Sequence, residues 1–118
     1  MGDTKKIAIV DDEDLLSKAL KRNLTLDGYI VDTFSEGRDF LATYQSGQYN
    51  AIIMDTDMKY STGYTICAGL RKQDSVVVII GMSSDEDYRR RWMDAGANDF
   101  VQKPTSSSLL VNLLKQHI

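Results

Sequence analysis

The stretch Ile7-Ala8-Ile9-Val10-Asp11-Asp12 joins a short apolar run to two acidic residues, and Ala51-Ile52-Ile53-Met54-Asp55 repeats this arrangement later in the chain. Runs that are almost wholly apolar are typical of parallel strands covered by helices on both faces. Open sheets of this kind bind their ligands at the carboxyl ends of the strands. The repeated pattern therefore predicts that Asp11, Asp12 and Asp55 meet at one edge of a parallel sheet.

Around these two runs, short apolar segments alternate with longer segments of helical spacing, which is typical of repeated strand-helix units. The strand candidates are Lys6 to Val10, Tyr29 to Phe34, Ala51 to Met54, Val76 to Met82 and Asn98 to Gln102. The helix candidates are Asp14 to Asp27, Ser35 to about Gly47, Tyr64 to Gln73, Ser84 to Gly96, and a last helix from Ser106 or Ser107. Right-handed crossovers predict an α/β fold with a doubly wound five-stranded parallel sheet, flavodoxin-like order 2-1-3-4-5, and five helices. The mixed polarity of the second strand favours an edge position.

Composition limits the classes of protein to consider. At 118 residues, with 42% hydrophobic and 26% charged residues, the chain is expected to form a single domain spanning 1–118. The net charge of -3 and the absence of a basic stripe argue against direct nucleic-acid binding. We find no membrane-spanning apolar stretch and no signal-peptide pattern. The lone Cys67 cannot form an internal disulfide, so we expect a reducing, cytoplasmic environment.

Two further strand ends carry polar side chains that belong at the same edge: Ser83 with a hydroxyl and Lys103 with an ammonium group. Carboxylates about 4 Å apart repel by roughly 4 kcal/mol at an effective dielectric near 20, so the acidic cluster needs a cation. One lysine offsets one of three negative charges, and Mg²⁺, which prefers oxygen ligands, would neutralise the rest. A carboxylate beside magnesium, a lysine and a hydroxyl is typical of phosphoryl transfer.

Several motifs follow one another in a specific order: Asp11-Asp12, Asp55 after an apolar strand, Gly63 eight residues later, Ile79-Ile80-Gly81-Met82-Ser83-Ser84, Ala95-Gly96-Ala97 and Phe100-Val101-Gln102-Lys103-Pro104. Together they resemble the receiver domain of two-component response regulators, including the chemotaxis response regulators, over nearly the whole chain. Each motif is weak alone, whereas their combined order and spacing is specific.

The resemblance implies roles for the acidic residues. Asp55 would accept a phosphoryl group from a histidine kinase or phosphotransfer protein, or from a small acyl phosphate. Asp12, Asp55 and the main-chain carbonyl of Asp57 would bind Mg²⁺, while Asp11 would act through a bound water. The protein would then be a phosphoprotein that catalyses only its own phosphorylation and dephosphorylation, not an enzyme acting on other substrates.

The resemblance also implies a readout. Lys103 would contact the phosphoryl oxygens, Ser83 would be the switch hydroxyl, and Phe100 would be the switch aromatic residue. The face formed by helix four, strand five and helix five would change its affinity for a downstream protein or output domain, and the same face could support a homodimer. No direct nucleic-acid or membrane partner is expected.

The switch position depends on where a gap is placed. Counting back from Lys103 without a gap places Gly81, which has no hydroxyl, at the switch position, whereas counting forward from Asp55 and Gly63 places Ser83 there. We prefer Ser83, because the missing residues then fall in the helix-four region.

That region departs from the family pattern. Arg89 and Arg90 stand where apolar residues usually face the core, and Tyr88 and Trp92 lie four apart. Either these residues form a partner surface, since exposed Trp, Tyr and Arg are enriched at binding hot spots, or Trp92 is half-buried in an ordinary amphipathic helix.

Two other functions fit parts of the pattern. Asp55-Thr56-Asp57 after an apolar strand, with a later serine and lysine, also resembles the haloacid-dehalogenase phosphohydrolases. Against this, no acidic residue follows Lys103 and the chain has no room for a cap domain. The second alternative is a receiver-like docking module that works without phosphorylation, which the unusual helix four leaves open.

Overall fold

The computed structural model describes residues 4–118, in which five strands alternate with five helices. The strands are β1 (Lys6–Val10), β2 (Ile30–Phe34), β3 (Ala51–Asp55), β4 (Val78–Ser83) and β5 (Asp99–Gln102). The helices are α1 (Asp14–Leu26), α2 (Gly37–Thr43), α3 (Gly63–Arg71), α4 (Arg89–Asp94) and α5 (Ser107–His117). A 3-10 turn at Glu86–Tyr88 leads into α4, and a small antiparallel hairpin pairs Asp57–Met58 with Ser61–Thr62.

The five strands form one parallel sheet in the order β2-β1-β3-β4-β5. This order confirms the predicted doubly wound, flavodoxin-like fold, and β2 lies at an edge as its mixed polarity suggested. In the register, Val10 lies beside both Phe34 and Met54, and Asp55 lies beside Met82. The residues that follow β1 and β3 therefore share one edge of the sheet.

Alternation of side chains along the strands divides the core into two layers. Ile52 and Ile79 point to the face covered by α2, α3 and α4, whereas Ile53 and Ile80 point to the face covered by α1 and α5. Because both faces are covered, the central strands are apolar at nearly every position. None of the helices within residues 4–118 is long and apolar enough to cross a membrane.

Strand β4 begins two residues later than the predicted Val76. The Asp74 carboxylate accepts hydrogen bonds from the main-chain N–H groups of Val76, at 2.9 Å, and Val77, at 3.0 Å. These bonds bend the chain and occupy the main-chain N–H groups that would otherwise pair with a neighbouring strand. Val76 is consequently 86% exposed, despite lying in an apolar run.

Helix four is shorter than the predicted segment from Ser84 to Gly96. The side chain of Asp85, rather than that of Ser84, caps the 3-10 turn by accepting the N–H of Asp87 at 2.9 Å. The α-helical part then has six residues, of which only Trp92 is buried. The position of α4 on the sheet therefore depends largely on one side chain.

Candidate functional site

The structure brings the three predicted acids together at the carboxyl edge of the sheet. Asp11 and Asp12 follow β1, and Asp55 is the last residue of β3. One carboxylate oxygen from each lies within 4.8 Å of the other two. Asp11 is 1% exposed and Asp55 is 7% exposed, whereas Asp12 faces solvent. The cluster is thus half embedded in the protein and open on one side.

Lys103 supplies the positive charge of the cluster. Its Nζ lies 2.8 Å from Asp11 Oδ2, 3.0 Å from Asp55 Oδ1 and 3.3 Å from Glu13 Oε1. The main-chain N–H of Lys103 donates to the carbonyl of Ser83 at 2.7 Å, which ties the residue to the end of β4. Burial acts to lower the pKa of Lys103, but the hydrogen bonds and charges of Asp11 and Asp55 outweigh it and raise that pKa above its usual value. The lysine therefore stays charged.

The Asp55 carboxyl is destabilised as an anion. Burial raises the pKa of Asp55 first and the charge of Asp11 raises it further, while Lys103 and the N–H of Thr56 partly lower it, leaving a pKa of about 6. Asp11 Oδ2 is buried, and Lys103 Nζ at 2.8 Å is its ionic partner. One ammonium group is thus shared by the carboxylates of Asp11, Glu13 and Asp55, and a hard divalent cation fits the remaining oxygen donors.

Replacing Asp55 by asparagine should stabilise the metal-free protein in a pH-dependent way. Because the folded-state pKa lies above the ordinary value of 3.8, ionising Asp55 costs stability as the pH rises through about 6. We expect Asp55→Asn to raise the free energy of unfolding by about 1–2 kcal/mol near pH 7.5, after allowing for solvent screening, with the gain shrinking towards pH 4. Urea denaturation at several pH values measures it.

Asp39→Asn on the exposed side of α2 is the control for this effect, since it removes the same charge away from the cluster. Its effect should stay within about 0.5 kcal/mol and show little dependence on pH. If the stability gain of Asp55→Asn over the wild-type protein is no larger near pH 7.5 than near pH 4, the Asp55 carboxylate is not destabilised by its surroundings.

Ser83 and Gly81 occupy different environments, which bears on the choice between them. Ser83 is the last residue of β4, one residue beyond the partner of Asp55, and is 3% exposed. Its Oγ accepts the N–H of Asp85 at 3.0 Å. Gly81 lies deeper, beside Met54, and a Cβ there would lie 2.5 Å from Cε2 of the Trp92 ring. Position 81 therefore has no room for a side chain, and the choice of Ser83 stays a prediction.

The remaining predicted residues lie beside the cluster. Asp57 lies two residues after the end of β3, in the small hairpin, and is exposed; its side chain is not part of the acidic cluster that the described residues form. Phe100 on β5 is 2% exposed and points into the core. The guanidinium group of Arg89 lies 5.0 Å from the centre of the Phe100 ring and donates to the Phe100 carbonyl at 3.3 Å.

The buried position of Trp92 was not predicted from the sequence. Both sequence-based readings, a partner surface and a half-buried side chain, are wrong for this residue, which is 0% exposed. Its indole N–H donates to Oγ1 of Thr56 at 2.7 Å, and the Thr56 hydroxyl donates to the carbonyl of Met82 at 2.6 Å. The sequence feature that could have indicated a buried ring is the pair of glycines Gly63 and Gly81, because their missing side chains leave room for it.

The arginines beside Trp92 do not enter the core. Arg89 pairs with Glu86 at 2.9 Å, Arg90 lies 3.8 Å from Asp94, and Arg91 donates to the Tyr64 hydroxyl at 3.1 Å. Their polar heads lie at the surface while Trp92 supplies the buried contact. One large ring thus replaces the several apolar residues that a longer helix would bury.

Comparisons with known proteins agree with this geometry. Residues 7–115 match the model of the response regulator receiver domain family. Transcriptional regulatory protein TcrA of Mycobacterium tuberculosis is 33% identical over 102 residues, covering 84% of this chain and 40% of TcrA. Response regulator ArlR of Staphylococcus aureus is 36% identical over 100 residues, covering 84% of this chain and 46% of ArlR. The chain therefore spans less than half the length of these curated relatives.

Solved structures show the same fold. The BeF3-activated receiver domain of DrrB superposes with a TM-score of 0.89 at 27% identity, covering 98% of this chain and 97% of that one. Response regulator TrrA of Thermotoga maritima, solved in complex with Mg²⁺-BeF, superposes with a TM-score of 0.88 at 29% identity, covering 98% of this chain and 100% of TrrA. The haloacid-dehalogenase alternative is thereby set aside. Since the family model covers nearly all of the sequence and the acidic cluster lies where the fold binds its ligands, the chain belongs to the response regulator receiver domain family.

Proposed function

We propose that Asp55 is the phosphoryl acceptor of a two-component response regulator. This proposal is supported mainly by the position of the Asp55 carboxylate at the end of β3, where it lies beside Asp11 and Asp12 and 3.0 Å from Lys103 Nζ. An Asp55 oxygen would attack the phosphorus of a phosphohistidine on a histidine kinase or phosphotransfer protein. The P–N bond breaks, its electron pair returns to the imidazole, and an acyl phosphate forms on Asp55.

The donor set supports a Mg²⁺ site. Asp12 and Asp55, with the main-chain carbonyl of Asp57, would hold the ion, and Asp11 would reach it through a water. The solvent-facing position of Asp12, and the sharing of one lysine by Asp11 and Asp55, support this assignment. When bound, Mg²⁺ supplies positive charge that stabilises the transferring phosphoryl oxygens.

Lys103 and Ser83 would stabilise the product. Lys103, already 3.0 Å from Asp55 Oδ1, would pair with a phosphoryl oxygen after transfer. A cavity of about 240 Å³ opens beside Lys103, lined also by Glu13, Leu16, Ser84, Pro104 and Thr105. The Ser83 hydroxyl would turn from the Asp85 N–H towards the new phosphate.

The phosphorylated state would be read by the face of α4, β5 and α5, through Ser83 and Phe100 as switch residues. Couplings of this kind are typically about 1–3 kcal/mol, enough to change partner affinity several-fold to a hundred-fold. Since relatives such as TcrA are transcriptional regulators, we propose a downstream protein or output domain as partner. A homodimer through the same face and a cytoplasmic location are also part of this proposal.

The test is phosphorylation by a small donor. Acetyl phosphate with Mg²⁺ should add the mass of one phosphoryl group, read by intact-mass spectrometry, and Asp55→Asn should abolish the adduct. Asp57→Asn is the matched control, because only the main chain of that residue is assigned a role, and it should still be modified. An unmodified wild-type protein would instead favour a docking module, and steady turnover of phosphate esters would favour a hydrolase.

A further inference from the structure

The Thr56 hydroxyl joins three parts of the site. Thr56 is 0% exposed and directly follows Asp55. Its Oγ1 accepts the indole N–H of Trp92 from α4 at 2.7 Å and donates to the carbonyl of Met82 in β4 at 2.6 Å. A hydroxyl has one proton to donate, so this arrangement fixes the direction of both bonds.

The main chain of Thr56 is equally constrained. It is joined to Asp55 by the peptide bond, and its carbonyl accepts the N–H of Gly63 at 2.8 Å. One residue is thus joined to Asp55 through the peptide chain and to helix α4 through its side chain. If β4 moves at Met82, the Thr56 hydroxyl is displaced with it, and this displacement affects both Asp55 and Trp92.

Trp92 has no freedom to release this bond. A Cβ on Gly81 or on Gly63 would collide with its ring, at 2.5 Å from Cε2 and 2.7 Å from Cη2 respectively, and Tyr64 packs edge-on against it at 6.3 Å between centroids. An indole N–H left unpaired in a buried site loses its hydration without compensation. The ring must therefore follow the hydroxyl, and because Trp92 is the one buried residue of α4, the helix must follow the ring.

We infer that Trp92 is a positioning residue that joins Asp55 to helix α4 through the Thr56 hydroxyl, so that α4 responds to the state of Asp55 through Thr56 and its hydrogen bond to Trp92. The inference rests on the proposed function of Asp55. It adds a second connection beside Ser83 and Phe100. It also explains how a helix of six residues can be coupled to the site.

Trp92 is the only tryptophan in the chain, so its fluorescence reports this position alone. Beryllofluoride with Mg²⁺ serves as a phosphoryl mimic, and its binding to the protein is followed independently by fluorine NMR. The wild-type protein should bind the mimic and change its Trp92 emission. Thr56→Val, which keeps the volume and removes the hydroxyl, should bind it with an emission change smaller by about three-fold or more, as expected when a direct coupling is removed.

Two further variants control for structural damage. Thr56→Ser restores the hydroxyl and should restore the emission change. Thr65→Val makes the same chemical change at an exposed threonine of α3 whose hydroxyl contacts Thr62, and it should behave like the wild-type protein. Far-ultraviolet circular dichroism establishes that each variant is folded.

The outcomes separate the two proposals. Bound mimic with equal emission changes in the wild-type protein and Thr56→Val, or with none in either, would overturn the link through Thr56 while leaving Asp55 as acceptor. Absence of a bound mimic in the wild-type protein would overturn both. Bound mimic in both proteins, with the emission change lost in Thr56→Val and regained in Thr56→Ser, would support the inference.

Discussion

Replacing Trp92 by alanine should lower the free energy of unfolding by about 3–5 kcal/mol, the usual cost of truncating a fully buried tryptophan. The ring is 0% exposed and fills the space above Gly63 and Gly81. Its loss would leave a cavity and remove one hydrogen bond from the buried Thr56 hydroxyl. Urea denaturation followed by circular dichroism measures the change, since the variant has no tryptophan fluorescence.

Met93→Ala is the control on the same helix. Met93 is 43% exposed, so its truncation should cost less than about 1 kcal/mol. Trp92→Ala with a loss as small as that of Met93→Ala would mean that the ring does not anchor α4.

A substitution at Gly81 tests the same contact with Trp92 from the opposite side. Gly81→Ala should destabilise the wild-type protein by about 1–3 kcal/mol, because the new Cβ meets the Trp92 ring. In a Trp92→Ala background the same change should cost much less, because the ring is absent. Additive losses in the double variant would contradict direct contact between the two positions.

Replacing Lys103 by methionine should destabilise the metal-free protein by about 2–4 kcal/mol near pH 7.5, since it leaves two buried carboxylates without their cation. The Lys103 side chain is 11% exposed and lies within 3.0 Å of both Asp11 and Asp55. Without the lysine, the pKa of Asp55 should rise beyond about 6. The loss should therefore shrink as the pH falls and Asp55 takes up a proton, which urea denaturation across pH would show.

Two comparisons test the cause of this loss. Lys115→Met removes an exposed lysine from the last turn of α5 and should cost less than about 1 kcal/mol. Asp55→Asn in the Lys103→Met background should recover part of the stability, because it removes one of the uncompensated charges. A loss independent of pH, or unrelieved by Asp55→Asn, would show that Lys103 acts through packing alone.

The fold followed closely from local patterns. The apolar runs at β1 and β3 and their terminal acids predicted a parallel sheet, and the observed strand order agrees with the prediction. Boundaries were less accurate where a side chain competes for main-chain donors. Asp74 delays the start of β4 by binding the N–H groups of Val76 and Val77, a contact that apolar periodicity does not reveal.

The acidic residues and the lysine of the candidate site could be predicted, because each stands at the carboxyl end of a strand and parallel strands end at the same edge of the sheet. The pKa of Asp55 was not predictable, since it depends on burial and on its distances from Asp11 and Lys103. The lack of space for a side chain at Gly81 was not predictable either, because it depends on the contact with Trp92, which is distant in the sequence.

By itself, the sequence determined the alternating strands and helices, because hydrophobic periodicity is a local property. The strand order followed from the number of strand-helix units and the known doubly wound orders, and the meeting of Asp11, Asp12, Asp55 and Lys103 followed from their places at strand ends. Only the tertiary structure decided that Trp92 lies in the core and is bonded to Thr56. That contact joins residues 36 positions apart through space left by two glycines, and no local pattern encodes it.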